Sequence, residues 1–148
     1  MPIMGVKAMT WLRAAPLAGL ALASCGGSSS KPASAPQIRI QVSSAPDAND
    51  KRPCYLVVRA VDAKAYVGDT YQAVAAMVMV PDDTVLSSTL VFPGTPVDLS
   101  LPTPQKGQVA VYVLFTYPKG DWKALLPSPS PSGVEITLAQ SRMTVSAR

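Results

Sequence analysis

The sequence predicts an all-β domain, a two-sheet antiparallel β-sandwich, and three observations predict it. Several segments either alternate apolar and polar residues or stay apolar over the length of a strand. Turn signals rich in proline and glycine recur about every ten residues, drawn from 15 prolines and 9 glycines in 148 residues. Helical periodicity is confined to one short region, so helices cannot form the framework.

Each element follows in chain order. Gln37 to Val42 alternates strictly, with Ile38, Ile40 and Val42 opposite Gln37, Arg39 and Gln41, which defines a strand with one buried face. Ser43 to Pro53 is polar or turn-forming apart from its alanines, and long ordered loops in compact domains tend to carry function. Tyr55 to Val61, "YLVVRAV", is apolar on both faces except at Arg59 and reads as an interior strand. Asp69 to Val80 is ambiguous: Asp69 and Gln72 have capping-box spacing, and Tyr71, Val74, Ala75 and Val78 share a helix face, yet Val74, Ala76, Val78 and Val80 also alternate. The expectation is a short helical turn over Thr70 to Ala75, then extended chain over Ala76 to Val80. Thr89 to Phe92, Val97 to Leu101 and Gln108 to Tyr117 read as strands, the last being the most β-like segment of the chain. The stretch "PKGDWKALLPSPSPSG" carries Trp122 through an irregular connection, and Val134 to Leu138 and Met143 to Val145 close the sandwich.

Composition removes several classes of function. Histidine is absent, which excludes Ser-His-Asp and Cys-His nucleophilic sites and imidazole bases. No nucleophile stands with a base elsewhere, so the chain does not read as an enzyme and needs no cofactor. The net charge is +4 over the whole sequence, but Lys7 and Arg13 lie in an acid-free leader. Beyond them the basic residues are scattered singly and nearly balanced by acids, which argues against nucleic acid as a partner. Asp47 with Asp50, and Asp82 with Asp83, read as solvated loop and turn residues rather than as a calcium site. A periplasmic glycan- or small-ligand-binding lipoprotein is the alternative reading, with Tyr66, Tyr71, Tyr112, Tyr117 and Trp122 available for stacking.

Three segments make up the domain organisation. Residues 1–24 carry Lys7 and Arg13 ahead of an apolar run from Ala14 to Ala23, the pattern of an export signal; Met4 and Met9 are alternative starts. Leu22-Ala23-Ser24-Cys25 resembles a bacterial lipobox, in which small residues admit the peptidase and the cysteine thiol is acylated. Residues 25–36 then form a lipidated N-terminus and a flexible tether, "GGSSSKPASAP". More than one acyl chain gives stable anchorage, and Gly26 in place of an aspartate directs the lipoprotein, by analogy, to the outer membrane. The sandwich domain occupies residues 37–148. With Cys25 lipidated, Cys54 has no disulfide partner and reads as a small apolar residue at the start of a buried strand.

The order of features carries a resemblance. A lipobox, a polar tether, an alternating first strand, a long loop holding Asn49, "VVRAVDAK", "VFPG" at Val91 to Gly94, "VAVYVLFTYPKGDW" and a terminal "VEITLAQSRMTV" together resemble the outer-membrane lipoprotein family TssJ (SciN) of type VI secretion systems. The resemblance implies a transthyretin-like sandwich with a short helical insert after the second strand. It also implies attachment to the periplasmic face of the outer membrane and binding to the periplasmic C-terminal region of the inner-membrane protein TssM. By position, the partner-binding loop is the one between the first two strands, and Asp47, Ala48, Asn49, Asp50, Lys51 and Arg52 fall on it, with Asp47, Asn49, Asp50, Lys51 and Arg52 as polar tips. The chain departs from the family pattern at Ala65 to Tyr71, where tyrosines replace a phenylalanine-bearing helix, and at Asp121 and Lys123, which flank Trp122 where the family often has an arginine.

Overall fold

The computed structural model describes residues 34–148. The expected signal peptide, the lipidation site Cys25 and most of the tether lie outside the described residues. Ser34–Pro36 lead into β1 (Gln37–Ser44), whose side chains alternate between solvent and core as the sequence dictates. β2 (Cys54–Val61) follows, then two helices, α1 (Ala63–Gly68) and α2 (Tyr71–Met79). β3 (Val85–Val91), β4 (Val97–Pro102), β5 (Gln108–Leu114), β6 (Lys123–Leu125), β7 (Gly133–Leu138) and β8 (Met143–Ala147) complete the chain.

The strands form two four-stranded sheets, ordered β4-β1-β7-β8 in the first and β3-β2-β5-β6 in the second. The predicted sandwich and its helical insert after the second strand are therefore borne out. One pairing departs from the antiparallel expectation: β1 and β7 run parallel, Ile40 opposite Val134 and Val42 opposite Ile136. Their separation in sequence allows this, because parallel neighbours need a long crossover and here all four strands of the second sheet are interposed.

Between the sheets lies the main core, with Ile38, Ile40 and Val42 facing Leu56, Val58, Val111 and Val113. The second sheet is apolar on its outer face as well, because the helices cover it. Val57, Val61, Ala110 and Tyr112 point outward there and pack on fully buried Val74 of α2. Burying a side chain of that size stabilises the contact by about 1.5–3 kcal/mol.

The helices differ from the expectation in extent. α2 continues through Met79, where extended chain is expected from Ala76 onward. The alternation of Val74, Ala76, Val78 and Val80 is coincidental, and the helical spacing of Val74 and Val78 puts both against the sheet. The cap sits one residue later than the capping-box reading: Thr70 Oγ1 accepts from Ala73 N at 3.2 Å, while Asp62 caps α1 by accepting from Ala65 N at 2.7 Å. β6 falls inside the stretch expected to be irregular. β5 ends at Leu114, three residues short of the expected strand, because the chain turns to meet the β1–β2 loop.

The sandwich has two distinct ends. At one, Pro36 accepts a hydrogen bond from Thr103 N at 2.9 Å, and the β4–β5 connection crosses from the first sheet to the second. Gly107 in that connection has φ +81°, and a Cβ there would lie 2.9 Å from the carbonyl oxygen of Val61, so only glycine fits. The segment preceding β1 enters at this end. The β1–β2, β3–β4, β5–β6 and β7–β8 connections gather at the opposite end.

Candidate functional site

The loop end is built around the β1–β2 connection. β1 runs to Ser44, so the loop is shorter than the Ser43 to Pro53 span read from composition. It is also ordered. Asn49, Asp50 and Lys51 adopt φ of 49°, 54° and 63°, a left-handed turn spanning Ala48–Lys51 and closed by Arg52 N donating to Asn49 O at 3.1 Å. Each non-glycine residue in this region costs about 1–2 kcal/mol, least for Asn and Asp, whose short side chains bond locally. Compensation comes from the Asn49 amide. Its Nδ2 donates to Arg52 O at 3.2 Å and Pro53 O at 2.9 Å, and its Oδ1 accepts from Thr116 N at 2.6 Å.

This corrects one expectation. Asn49 is not a polar tip: it is 2% exposed, a peg that fastens the loop to the end of β5, and Ala48 beside it is equally buried. Asp47, Asp50, Lys51 and Arg52 are exposed, so four of the six loop residues are presented to solvent. Asp50 Oδ1 also accepts from Gln140 Nε2 at 2.9 Å, which ties the loop to the β7–β8 connection. On its other side, Gly94 N donates to Ser44 O at 3.1 Å and to Ala45 O at 3.2 Å. Three neighbouring connections thus hold the loop, and its exposed charges stand on a fixed base.

Large apolar side chains remain exposed beside it. Tyr55 and Leu90 face each other across β2 and β3, each 39% exposed, and Tyr55 also lies opposite Leu114 on β5. Phe92, just past β3, is 52% exposed, and Tyr117 lies in the connection after β5. Of these, the sequence singles out only Tyr117, as a stacking candidate, and it is exposed.

A buried polar cluster fastens the helical insert to the second sheet. Arg59, on β2, places Nη1 2.8 Å from Asp69 Oδ2 and donates from Nε to Thr84 Oγ1 at 2.9 Å. The Tyr112 hydroxyl donates to the same Asp69 carboxylate. From β6, Lys123 Nζ reaches the carbonyls of Tyr66 at 2.9 Å and Asp69 at 3.0 Å, neutralising the C-terminal end of α1. The sequence signal for this cluster was Arg59 alone: a single cation in an otherwise apolar interior strand requires a buried acid. Burial pushes the Tyr112 phenol upward first, and the hydrogen bond to Asp69 adds to that shift. Tyr66 and Tyr71 are likewise raised by burial, Tyr71 also by nearby Cys54.

The remaining sequence candidates resolve simply. Cys54 is buried at the head of β2, and desolvation pushes its thiol up to about 11, which keeps it protonated and unreactive. Tyr112 is buried between Tyr66 and Trp122, and Tyr71 packs on Trp122, with ring centroids 5.3–6.3 Å apart, so these four aromatics pack on one another rather than forming an open platform for sugars. Asp82 is held below the usual carboxylate range by hydrogen bonds from Thr84, then by Arg59. Among the described residues no helix is long and apolar enough to cross a membrane, and no three acidic or cysteine side chains converge as metal ligands. A shallow polar concavity of about 430 Å³ lies on the outer face of the first sheet, lined by Gln37, Arg39, Gln41, Ser132, Gly133 and Arg148.

Fold and site together define a two-sheet β-sandwich that presents a braced loop at the end opposite Pro36. The chain belongs to the family described as IglE, N-terminal domain, which matches residues 55–138, from β2 through β7. Its fold is that of the type VI secretion lipoprotein TssJ1 from Pseudomonas aeruginosa, with a TM-score of 0.59 and 18% identity over 76% of this chain and 95% of that one. Lip from Serratia marcescens, a membrane-bound component of the type VI secretion system, matches with a TM-score of 0.59 and 16% identity, covering 76% of this chain and 98% of its own. A chain from a structure described as the TssM C-terminal domain (869-1107) from EAEC matches with a TM-score of 0.56 and 14% identity, over 76% and 98% of the two chains. No curated protein matches at a significant level. The resemblance to the type VI secretion lipoprotein family is thereby borne out.

Proposed function

We propose that this chain is a lipoprotein of a type VI secretion membrane complex. Cys25 carries the acyl chains and holds it at the periplasmic face of the outer membrane, and its loop end binds the periplasmic C-terminal region of an inner-membrane TssM partner. The observation that carries this reading is the polarity of the sandwich: Pro36 enters at one end and the braced Asp47 to Arg52 loop stands at the other. A domain tethered at one end offers its other end to whatever approaches from across the periplasm. The roughly eleven-residue tether, at about 5–6 Å times the square root of its length, spans on the order of 18 Å, enough to clear the headgroup layer.

Rigidity is the functional property of the loop. A turn already held by Asn49, Gly94 and Gln140 loses little entropy on binding, so more of its contact energy appears as affinity. No catalytic step and no cofactor are required. Exchanging the sign of the exposed cations, Lys51→Glu with Arg52→Glu, is expected to weaken capture of the partner's periplasmic region at least tenfold while thermal unfolding stays cooperative and unshifted. In the same preparation, Cys25→Ala is expected to move the protein from the outer-membrane fraction to the soluble periplasm. Undiminished capture would place the interface elsewhere, and retention of Cys25→Ala in the membrane would remove the anchor.

A further inference from the structure

The four edge strands of the sandwich are not equally protected. β6 is only three residues long and carries Lys123. β8 lies between Arg142 and Arg148, and β4 carries Asp98 between Pro96 and Pro102. Short length, charge and proline are the devices that keep sheet edges from pairing with other chains. β3 has none of them. Its seven residues, "VLSSTLV", contain no charge and no proline, and only β2 pairs with it. A register shift opposite Val58 and Arg59 disturbs its start at Leu86, which leaves Ser87 to Val91 as regular edge.

The side chains around that edge are apolar and only partly covered. On the outer face Leu90 stands against Tyr55, and Phe92 continues the row past the strand; all three are at least 39% exposed. The helical insert packs on the β2 and β5 side of the sheet: Val74 sits over Val57 and Tyr112, and the Tyr71 hydroxyl donates to the Phe115 carbonyl just past β5. β3 also runs directly into the Gly94 turn that braces the β1–β2 loop.

We propose that the free edge of β3 between Ser87 and Val91 accepts an added β-strand from a protein partner, an extended segment with large apolar side chains on alternate residues. Main-chain groups on the edge supply the pairing, and the Tyr55, Leu90 and Phe92 surface selects the apolar side chains of the incoming strand. A lipid surface is the wrong occupant, since the tether enters at the other end of the sandwich. The inference rests on the reading of the loop end as a partner site, because the edge and the loop are joined through Gly94 and a segment held at one is within reach of the other.

The test is hydrogen exchange on the purified full chain, alone and with the periplasmic region of the TssM partner, together with binding by edge variants. Amides of residues 87–91 are expected to exchange at least tenfold more slowly in the complex. Leu90→Lys, which installs the missing edge guard at an exposed position, is expected to weaken binding at least tenfold with an unchanged unfolding temperature, whereas Leu90→Val and the β8 control Thr144→Lys bind as the parent does. Protection of residues 47–52 without protection of 87–91, and an unaffected Leu90→Lys, would overturn the added strand and leave the loop reading standing. Absence of any binding would overturn both. Protection of 87–91 in the protein alone, rising with its concentration, would assign the edge to a second copy of this chain and overturn the proposal.

Discussion

The outer faces of the two sheets are opposites. The first sheet turns Gln37, Arg39 and Gln41 of β1 and Asp98 and Ser100 of β4 to solvent, and these residues bond across the strands: Gln41 Nε2 to Asp98 Oδ1 at 3.2 Å, Ser100 Oγ to Gln37 Oε1 at 2.8 Å. The second sheet turns Val57, Val61, Ala110 and Tyr112 outward, covers them with two helices, and leaves the apolar row at the loop end partly exposed. A face that is polar throughout has nothing to bury and needs no partner. A face that is largely apolar and only partly covered marks where another surface belongs.

That contrast depends most on the cluster that fastens the insert. Arg59→Ala leaves the Asp69 carboxylate, 10% exposed, without its cation, and removing one member of a buried pair costs about 3–5 kcal/mol. Denaturant unfolding is expected to show a loss of that size, with exchange accelerating first in residues 63–79. A loss below 1 kcal/mol would mean that apolar contacts alone seat the insert, and the second sheet would then resemble an ordinary sandwich face with a helix laid on it.

The same face is expected to respond to alkali. Tyr112, Tyr66 and Tyr71 have phenols raised above their ordinary value of 10.0, so the folded protein retains protons that the unfolded chain gives up. Their contribution is complete below pH 10 and is lost as pH rises through the higher folded values. The thermal midpoint is expected to fall by about 5 °C between pH 9 and pH 11, the response of such a domain to roughly 1 kcal/mol. Tyr112→Phe should blunt the fall. Cys54, pushed from 9.0 up to about 11, contributes in the same direction from the inner face, so the comparison is made in a Cys54→Ala background.

What the sequence showed followed from periodicity. Strict alternation in β1 named both its core residues and its solvent face, and the unbroken apolar run of β2 named an interior strand. The helical insert was half legible, because valine and alanine fit either periodicity and the choice is made by Val74 meeting Tyr112, a contact distant in sequence. Asn49 departs from its expected place as a polar tip for a related reason. In a polar loop an asparagine looks solvated, and its burial depends on the amide of Thr116, 67 residues away. The apolar row of Tyr55, Leu90 and Phe92 was visible as three separate residues, and only strand register joins them. The lipidation expected at Cys25 is the reverse case, since it rests on local pattern alone and lies outside the described residues.

The smallest expected effect falls on the first sheet. Arg39 and Gln41 line the shallow concavities of its outer face, and their exposed side chains oppose Ser100 and Asp98 on β4. Exposed polar contacts of this kind contribute within about 0.5 kcal/mol. Arg39→Ala with Gln41→Ala is therefore expected to leave the denaturation midpoint nearly unchanged and to leave capture of the partner region intact, measured beside Leu90→Lys on the second sheet. Loss of capture in the double variant would place binding on the polar face. It would show that the partly exposed apolar row is a tolerated exposure rather than a site, and the contrast between the two faces would lose its functional meaning.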